Sequence, residues 1–502
     1  MRSCRVSVFA DHGTAVVPVR LFGSFVEHLG RCVYGGIYDP DSKYSDEAGF
    51  RLDVIERCQE LGISVVRYPG GNFVSSYIWE DGVGPRKARP RRLDLAWRSL
   101  ETNEFGINEF ASWSKQAGVE GMVVVNLGTR GVEAATQLLE YCNHPGGSYW
   151  SEQRKEHGAE APHNFKLWCL GNEMDGPWQV GSRSAGEYGS LASAVARAMR
   201  RVDPEIELVV AGSSNRQMAT FPSWDREVLE QTYDDVDYLS VHQYYQANTE
   251  DPGEYLESSR DFSAYLDEAI ATCDYVRALK RSPKRMQLSV DEWNVTHAGG
   301  GSGHDPWALA PAIAEFSYTA LDAVVEASLM MALLGHADRT AVACQSLLVN
   351  AGGPIRTDAS GPAYRSAIFA PLARMADAKG GTVHPVEIDW SSSSGKAGGP
   401  ALDIDAVCVR SEDGGAIDIF LVNRNPREPV EVTVALHGET GGPVAKHEFV
   451  EAGAGADGPG PRGGAHDADL RTGQITRQGS EISTILSPAS WHAIRVPCAP
   501  EP

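Results

Sequence analysis

The chain lacks the cysteine pattern that marks a disulfide framework or a zinc site. It has nine cysteines in 502 residues, an odd number, and no CxxC pair. Both kinds of site are recognised by regular, short cysteine spacings. Four cysteines stand near apolar residues, namely Cys32, Cys142, Cys169 and Cys344. We therefore predict free thiols in a reducing compartment.

Positive charge and long apolar runs are also scarce. Lysine and arginine number 45 against 67 acidic residues, which gives a formal net charge of -22. Nucleic acids and anionic membrane surfaces attract positive patches, so this balance argues against both as partners. No run of 18 apolar residues occurs, and the first residues lack the apolar core of a secretion signal. We expect a cytoplasmic protein without a membrane span.

Motifs for several common chemistries are missing. The sequence contains neither a GxSxG elbow nor a GxxxxGK loop. The glycine-rich stretch Gly299–Gly303 lacks the dinucleotide-binding spacing, and we interpret it as a mobile loop. His28, beside Glu27, and His242 are not part of an HExxH motif or a close His/Asp cluster. The sequence therefore predicts no metal and no organic cofactor.

What the sequence does contain is a regular alternation of short apolar runs and helix-like segments from about Pro18 to Arg374. Such alternation is typical of βα units and a parallel sheet, and eight repeats over this length predict a (β/α)8 barrel. The predicted strands are Val19–Phe25, Val65–Tyr68, Met122–Val125, Lys166–Leu170, Glu207–Ala211, Tyr238–Val241, Met286–Val290 and Ala341–Leu347. The predicted helices are Leu52–Leu61, Ile107–Gln116, Thr136–Cys142, Tyr188–Arg201, Tyr265–Lys280, Ala310–Leu334 and, near the end, Ser366–Ala376.

The pattern changes after about Gly380, where strand-like runs are separated by turn residues. These runs are Asp403–Arg410, Ala416–Asn423, Val430–Leu436 and Trp491–Pro497. They predict an antiparallel, jelly-roll-like β-sandwich, which Cys4–Ala10 could join. Gly438–Gly473 is rich in Gly, Ala and Asp and is expected to be a long flexible loop. We expect a catalytic barrel over 18–378 and a sandwich made of 1–17 and 379–502.

Two glutamates follow predicted barrel strands directly. Glu173 comes after Lys166–Leu170, and Glu292 comes after Met286–Val290. Burying an unpaired carboxylate is costly, so neither is suited to a core position. Active sites of parallel barrels lie at the carboxyl ends of the strands, and a glycosidase needs two carboxyl groups there. The pair therefore predicts a glycosidase active site.

Polar residues stand at the carboxyl ends of all eight predicted strands, either in the last residues of the strand or just after it. In chain order they are Glu27 and His28; Arg67 and Asn72; Asn126; Asn172 and Glu173; Ser213 to Asn215; His242 to Tyr244; Glu292; and Gln345. Any single one is more simply explained as a turn-forming or structural residue. Eight together suit a small carbohydrate pocket, because sugars are bound through many directional hydrogen bonds.

Five segments resemble glycoside hydrolase family 51, the retaining α-L-arabinofuranosidases. They are GSFVEHLGRCVYGGIYDPDS (Gly23–Ser42), RYPGGNF (Arg67–Phe73), WRSLETNEFGINEF (Trp97–Phe110), CLGNEMDGPWQ (Cys169–Gln179) and DEWN (Asp291–Asn294). The resemblance covers the predicted barrel in order, and this family also carries a β-sandwich tail. It implies an exo-acting enzyme for arabinofuranoside oligosaccharides, often assembled as a homo-hexamer.

The resemblance also implies roles for individual residues. Glu173 resembles the general acid/base, Glu292 the nucleophile, and Arg67 the partner that keeps the nucleophile ionised. The residues implied for sugar binding are Glu27, Asn72, Asn172, His242, Tyr244 and Gln345, with Trp97 and Trp178 as the aromatics that shape the site.

Two departures from the family pattern concern the leaving-group side. The family commonly continues DEWN with Val-Trp, whereas here Val295 is followed by Thr296 and His297, so Trp307 could supply that aromatic instead. The stretch after Gln345, SLLVNAGGPIRTD, also differs. Two alternatives stay open at this point. One is another retaining glycosidase of the same clan, a β-xylosidase or an endo-β-glucanase, and the other is a sugar-binding protein without catalysis.

Overall fold

Eight parallel strands close into a barrel in which every strand pairs with its neighbours in chain order. The computed structural model describes residues 2–247, 252–298, 304–358, 360–389, 403–438, 446–452 and 470–498. The barrel strands, β1 to β8, are Gly23–Phe25, Val65–Tyr68, Glu120–Val125, Leu167–Leu170, Glu207–Ala211, Tyr238–Gln246, Gln287–Thr296 and Thr340–Gln345. The predicted (β/α)8 barrel is confirmed.

Helices surround the barrel. They are α1 (Leu52–Leu61), α2 (Ile107–Ala117), α3 (Val132–Asn143), α4 (Tyr149–Glu156), α5 (Ala185–Val202), α6 (Ser223–Thr232), α7 (Pro252–Leu256), α8 (Ser258–Lys280), α9 (Ala320–Gly335) and α10 (Phe369–Met375). Helix α5 shows how the sequence specifies them: Ser184 caps it by accepting from the Glu187 amide, and Ala192, Val195 and Met199 form its buried face. Within the described residues no helix combines the length and apolar content that a membrane span requires.

The strand bounds differ from the prediction where the site is built. The first strand begins at Gly23, because Val19–Leu21 forms a 3-10 turn instead. Strands β6 and β7 are longer than predicted and remain paired with each other from Tyr238 to Gln246. The last long helix, α9, begins at Ala320 and not at Ala310. The extra length of β6 and β7 carries the site residues beyond the ring of the barrel.

The C-terminal part forms two stacked sheets. The five-stranded sheet has the order Val386–Asp389, Arg2–Phe9, Val430–His437, Glu481–Leu486 and Thr476–Gln478. The seven-stranded sheet has the order Ala15–Val16, Thr382–His384, Ile404–Arg410, Ala416–Asn423, Ser490–Pro497, Lys446–Glu451 and Arg471–Thr472. Their facing apolar side chains form a second core, and the pairing is antiparallel except that Arg2–Phe9 runs parallel to Val430–His437. The N-terminal strand thus joins the sandwich as predicted.

The segment Gly438–Gly473 is not one uninterrupted loop. It contains the strand Lys446–Glu451, which pairs with Ser490–Pro497 and with Arg471–Thr472. Residues 439–445 and 453–469 lie outside the described residues, as does the glycine-rich stretch 299–303. The strand was missed because its residues, KHEFVE, show no uniform apolar alternation.

An arginine on α10 joins the barrel to the sandwich. Every residue of Ala416–Asn423 is buried, because this strand is covered on one face by the smaller sheet and on the other by the barrel helices. Its one charged residue, Asp418, pairs with Arg374 of α10, and Arg495 lies 3.1 Å away on the neighbouring strand. Arg374 also lies 3.1 Å from Glu448. The guanidinium therefore links the last barrel helix to two strands of the large sheet.

We expect Arg374→Met to lower the free energy of unfolding by about 3 kcal/mol, because it removes a close partner from a carboxylate that is 1% exposed. The midpoint of thermal unfolding should fall accordingly. The matched control is Asp377→Asn, which removes an exposed partner of the same arginine (56% exposed) and should change stability by less than about 1 kcal/mol. Equal effects of the two substitutions would contradict this account.

Candidate active site

The barrel brings Glu173 and Glu292 together at the carboxyl ends of β4 and β7. A carboxylate oxygen of each and a ring nitrogen of His242 all lie within 4.8 Å of one another. Both glutamates are largely buried, with 8% and 6% exposure. Although they are 119 positions apart in the chain (292 − 173), they face each other across one small space. This arrangement is a pair of acidic groups in a cleft that water barely enters.

The guanidinium of Arg67, at 1% exposure, bridges three of the residues around this space. Its Nη1 donates to Glu292 Oε1 at 2.8 Å and its Nη2 donates to Asn172 Oδ1 at 2.7 Å. Its Nε lies 3.2 Å from Asp291 Oδ2. A planar guanidinium fixes both the position and the charge of the carboxylates it contacts. Arg67 therefore holds a fixed positive charge against one oxygen of Glu292.

His242 lies between the acidic residues. Its Nδ1 donates to Glu173 Oε1 at 3.1 Å and lies 3.7 Å from Glu292 Oε2, while its Nε2 is 3.3 Å from Asp291 Oδ1. Burial lowers the pKa of His242, but the charge of Glu292 and the hydrogen bonds to Asp291 and Glu173 outweigh it and raise the pKa to about 10. With both ring nitrogens protonated, His242 has no lone pair to offer a metal ion. The close spacing of these groups therefore fits a hydrogen-bonded cluster better than a metal site.

Glu173 sits in an environment that favours its protonated form. Burial raises its pKa above the ordinary value, and the charge of Glu292 adds to this, against the lowering effect of hydrogen bonds from His242 and Trp178. The Trp178 Nε1 donates to Glu173 Oε2 at 2.6 Å from a half-exposed ring. The backbone of Glu173 has φ 45°, a left-handed conformation that is uncommon for a residue with a side chain. The turn after β4 thus aims Glu173 into the cleft at some conformational cost.

A third glutamate, Glu27, faces the same space from the end of β1. Its Oε1 accepts from the Phe73 amide at 2.9 Å and from Trp97 Nε1 at 3.1 Å. Burial raises the pKa of Glu27 to about 8, despite the lowering effect of the Phe73 amide, and the charge of Glu292 adds to the rise. At neutral pH a carboxyl of this kind is mainly protonated and can donate a hydrogen bond.

Amide and hydroxyl groups complete the wall around Glu292. The Tyr244 hydroxyl donates to Glu292 Oε2 at 2.8 Å and lies 2.7 Å from Ser346 Oγ. The Nδ2 of Asn172 donates to Asn72 Oδ1 at 3.5 Å. Gln345 is buried one residue before Ser346, and its Nε2 lies 3.4 Å from the Ser346 carbonyl and 3.5 Å from that of Gly352. Gln345 is thus placed at the base of this wall, where its side chain lies near these two carbonyls and also hydrogen-bonds Glu326.

At two of the eight strand ends the polar residues hydrogen-bond groups in the loops and do not face the cleft. Asn126 binds the Tyr77 carbonyl and accepts from the Gly128 and Thr129 amides, which is the turn-forming role that a lone Asn commonly has. Ser213 and Ser214 bind Asp225 and Asp175. The sequence pattern alone does not separate such residues from those that face the cleft.

Asp291, which precedes Glu292 and is fully buried, is a further acidic residue of the site and is not among those predicted from the sequence. Consecutive strand residues ordinarily point to opposite faces. Val290 and Trp293 of β7 pair with Ala343 and Gln345 of β8, so β7 has one residue more than β8 between these two pairs. The pairing of β7 with β6 shows the same extra residue. This β-bulge turns both acidic residues toward Arg67. The signal available in the sequence was the Asp-Glu pair itself, next to a run that is otherwise apolar.

Two glycines let the backbone after β2 approach the acidic residues. A Cβ on Gly71 would lie 2.7 Å from Glu292 Oε1, and one on Gly70 would lie 2.3 Å from Glu27 Cγ. Gly70 also has φ 140°, a conformation that other residues rarely adopt. The PGGN segment therefore needs glycine at both positions, because the carboxyl groups of Glu27 and Glu292 lie too close to the main chain to leave room for a side chain.

Comparison with known proteins finds arabinofuranosidase relatives that match nearly the whole chain. The family model described as "Alpha-L-arabinofuranosidase 1 domain" matches residues 57–268. The model described as "Alpha-L-arabinofuranosidase C-terminal domain" matches residues 291–457. An intracellular exo-α-(1→5)-L-arabinofuranosidase of Acetivibrio thermocellus is 46% identical over 90% of this chain and 91% of the relative. An exo-α-(1→6)-L-arabinofuranosidase of Bifidobacterium longum is 48% identical over 87% of this chain and 86% of the relative.

A solved structure of an arabinofuranosidase has the same fold as this chain. That of AbfB, a family 51 α-L-arabinofuranosidase from Bifidobacterium longum, has a TM-score of 0.92 and 40% identity, covering 99% of this chain and 100% of that chain. The chain belongs to glycoside hydrolase family 51. Its resemblance to the α-L-arabinofuranosidases, drawn from five segments, is confirmed.

The family 51 barrel of this chain has an aromatic residue after β7, at Trp307. The Trp307 amide donates to the Arg98 carbonyl at 2.6 Å, and His304 lies 3.1 Å from the Trp97 carbonyl. These contacts tie the segment after β7 to the segment that carries Trp97, which binds Glu27. The Trp307 ring is 40% exposed. Trp307 therefore lies on the side of the site next to Trp97. Whether it supplies the aromatic that the family commonly has after DEWN stays a prediction.

We expect Gly71→Ala to reduce kcat/KM about a hundredfold, because the added methyl group would displace the Glu292 carboxylate and a misplacement of about 1 Å is enough for such a loss. The measurement is hydrolysis of an aryl α-L-arabinofuranoside, together with thermal unfolding to show that the fold is retained. Gly335→Ala is the matched control, since a Cβ there meets nothing within 4 Å. Full activity of Gly71→Ala would show that the glycine is not needed for the close approach.

Proposed function

We propose that this family 51 member is a retaining, exo-acting α-L-arabinofuranosidase that releases terminal non-reducing arabinofuranosyl residues by double displacement. The observation that carries the proposal is the pair of carboxyl groups with oxygens within 4.8 Å, one held against Arg67 and the other in surroundings that favour its protonated form. A nucleophile must be ionised and a general acid must be protonated, and these two environments differ in that sense. The similarity to exo-acting arabinofuranosidases of other organisms supports the choice of sugar.

The two carboxyl groups take different roles in the proposed mechanism. Glu292 attacks the anomeric carbon while Glu173 protonates the departing glycosidic oxygen, which leaves a covalent arabinosyl-enzyme. Glu173, now ionised, removes a proton from water, and the water attacks the same carbon to release arabinose. Two inversions give net retention of configuration.

The closeness of the two carboxyl groups is compatible with the retaining arrangement. Retaining enzymes hold the two groups about 5 to 5.5 Å apart, whereas inverting enzymes hold them about 6.5 to 9.5 Å apart to admit a water molecule. Oxygens within 4.8 Å suit the direct attack of the first case. Arg67 and the Tyr244 hydroxyl contact the two oxygens of Glu292 separately, which orients the carboxylate for that attack.

A neutral pentose suits the groups that surround the two glutamates. The wall offers hydrogen-bonding groups from Glu27, Asn72, Asn172 and Tyr244, and half-exposed Trp178 beside Glu173 can contact the leaving group. We further propose that the enzyme acts in the cytoplasm on short oligosaccharides from arabinan or arabinoxylan, as its similarity to an intracellular arabinofuranosidase suggests. A panel of nitrophenyl glycosides separates this substrate from the β-xyloside and β-glucan alternatives.

Two further proposals concern organisation. The catalytic unit is taken as residues 18–378, and residues 1–17 with 379–502 as the β-sandwich unit. The resemblance to the family suggests a homo-oligomer, a hexamer, which sedimentation analysis would test.

We expect Glu173→Ala to lose about 10²- to 10⁴-fold in kcat/KM with substrates that have a poor leaving group and far less with an activated aryl leaving group. The reason is that only a basic leaving oxygen needs protonation. The measurement is a series of aryl arabinofuranosides ordered by the pKa of the phenol, with Glu160→Ala, an exposed glutamate, as the control. Equal losses across the series would contradict an acid role for Glu173.

We expect Glu292→Gly to lose hydrolysis of an activated aryl arabinofuranoside almost completely, because no covalent intermediate can form. Added azide should restore release of the phenol and yield an arabinofuranosyl azide of inverted configuration. Product analysis by NMR checks this. Substantial hydrolysis by the variant without azide would remove Glu292 from the nucleophile role.

A further inference from the structure

Asp291 is a buried acidic residue for which the proposed mechanism has no step. It is 0% exposed, so it cannot touch a sugar in the cleft. Its Oδ2 lies 3.2 Å from Arg67 Nε and accepts from Cys169 Sγ at 3.6 Å. Its Oδ1 lies 3.3 Å from His242 Nε2 and accepts from the Ser240 hydroxyl. Asp291 therefore contacts both cations of the site from the side away from the cleft.

The same two cations each hold one of the two proposed catalytic carboxyl groups. Arg67 lies between Asp291 and Glu292, and its Nη1 donates to Glu292 at 2.8 Å. His242 lies between Asp291 and Glu173, and its Nδ1 donates to Glu173 at 3.1 Å. Asp291 is thus one contact removed from both catalytic groups, through a different cation for each.

A count of charges shows what this arrangement requires. Two cations, Arg67 and His242, face three carboxyl groups, those of Glu173, Asp291 and Glu292. With all three ionised the cluster would carry a net charge of 2 − 3 = −1, and with one of them protonated it is neutral. An uncompensated charge in a buried site is costly. Arg67 faces both Asp291 and Glu292, whereas Glu173 has no contact with the guanidinium. The proton is therefore cheapest to keep on Glu173.

We propose that Asp291 is a positioning residue whose fixed charge, placed against Arg67 and His242, keeps Glu173 protonated in the resting site. The proposal rests on the function proposed above, because it explains how the general acid of that mechanism keeps its proton. Asp291 engages one face of each cation, so neither cation is left to be neutralised by Glu173.

Apart from Arg67 and His242, the titratable groups that face Asp291 carry no charge. Burial raises the pKa of Asp291, but Arg67 and His242 outweigh this and hold the pKa below its ordinary value. The thiols of Cys169 on β4 and Cys344 on β8 face it with pKa values raised by burial, as does the Tyr188 hydroxyl on α5, so all three are neutral. Tyr244, whose pKa burial also raises, contacts Glu292 and not Asp291.

The test is the pH dependence of kcat/KM on an aryl arabinofuranoside, because this quantity reports the ionisation of the free enzyme. In Asp291→Asn the two cations face only Glu292 and Glu173, so Glu173 should ionise more easily. The alkaline limb of the profile should move to lower pH by about one unit or more. An unmoved alkaline limb in an active Asp291→Asn variant would overturn the proposal.

A matched control and a charge-balanced double variant separate charge from packing. Cys169→Ala removes an uncharged group that contacts the same carboxylate, and its alkaline limb should stay in place; a shift equal to that of Asp291→Asn would show a packing effect only. The double variant Asp291→Asn/His242→Gln removes one anion and one cation, so its limb should return toward the wild-type position. A limb that stays at the displaced position would contradict the charge count.

Two comparisons keep the proposal testable if Asp291→Asn fails to fold. His242→Gln alone removes a cation and should move the alkaline limb to higher pH, and adding Asp291→Asn to it should bring the limb back down by about one unit. No difference between His242→Gln and the double variant would overturn the role of Asp291. Glu173→Ala tests the proposed function separately: if the alkaline limb persists in that variant, the acid assignment itself is wrong.

Discussion

The site depends on one buried guanidinium. Arg67 contacts Glu292, Asn172 and Asp291 with different nitrogens, and these partners come from two regions of the chain that are far from Arg67 in sequence. A cation with 1% exposure is stable only when its partners are in place, and the partners are costly to bury without it. The geometry of the candidate site and the charge balance of the barrel mouth are therefore set by the same contacts.

The remainder of the fold serves to hold this cluster at the end of a rigid barrel. Strand β2 carries Arg67, the turns after β1 and β4 carry Glu27 and Glu173, and the extended ends of β6 and β7 carry His242 and Glu292. The barrel is closed by pairing of β8 with β1, so no strand edge at the site is free to move. The sandwich packs against the barrel helices on the outside, where Arg374 joins the two.

Much of this was accessible from the sequence. The alternation of apolar runs and helical segments predicted the eight strands in order, and the position of Glu173 and Glu292 after such runs predicted that they would meet. Local features that depend on neighbours were not accessible. The extra residue in β7 that turns Asp291 inward exists only relative to β6 and β8, and the left-handed backbone of Glu173 exists only in the folded turn.

The limits of pattern reasoning are clearest in residues of one type. Asn172 and Asn126 both follow barrel strands, yet one contacts Arg67 and the other closes a loop. The strand Lys446–Glu451 has no alternating apolar pattern in its sequence. Its place in the sheet is defined by its pairing with Ser490–Pro497. For Asn172 and for this strand the decisive contact is far away in the chain, where sequence spacing carries no information.

The most direct test of the account follows the first sugar released, by NMR, during hydrolysis of an aryl α-L-arabinofuranoside. Two carboxyl groups close enough for direct attack predict that α-arabinofuranose appears first and that the β-anomer grows in only later by mutarotation. Initial release of the β-anomer would mean that water attacks directly, and would contradict the double displacement that the geometry of Glu173 and Glu292 supports.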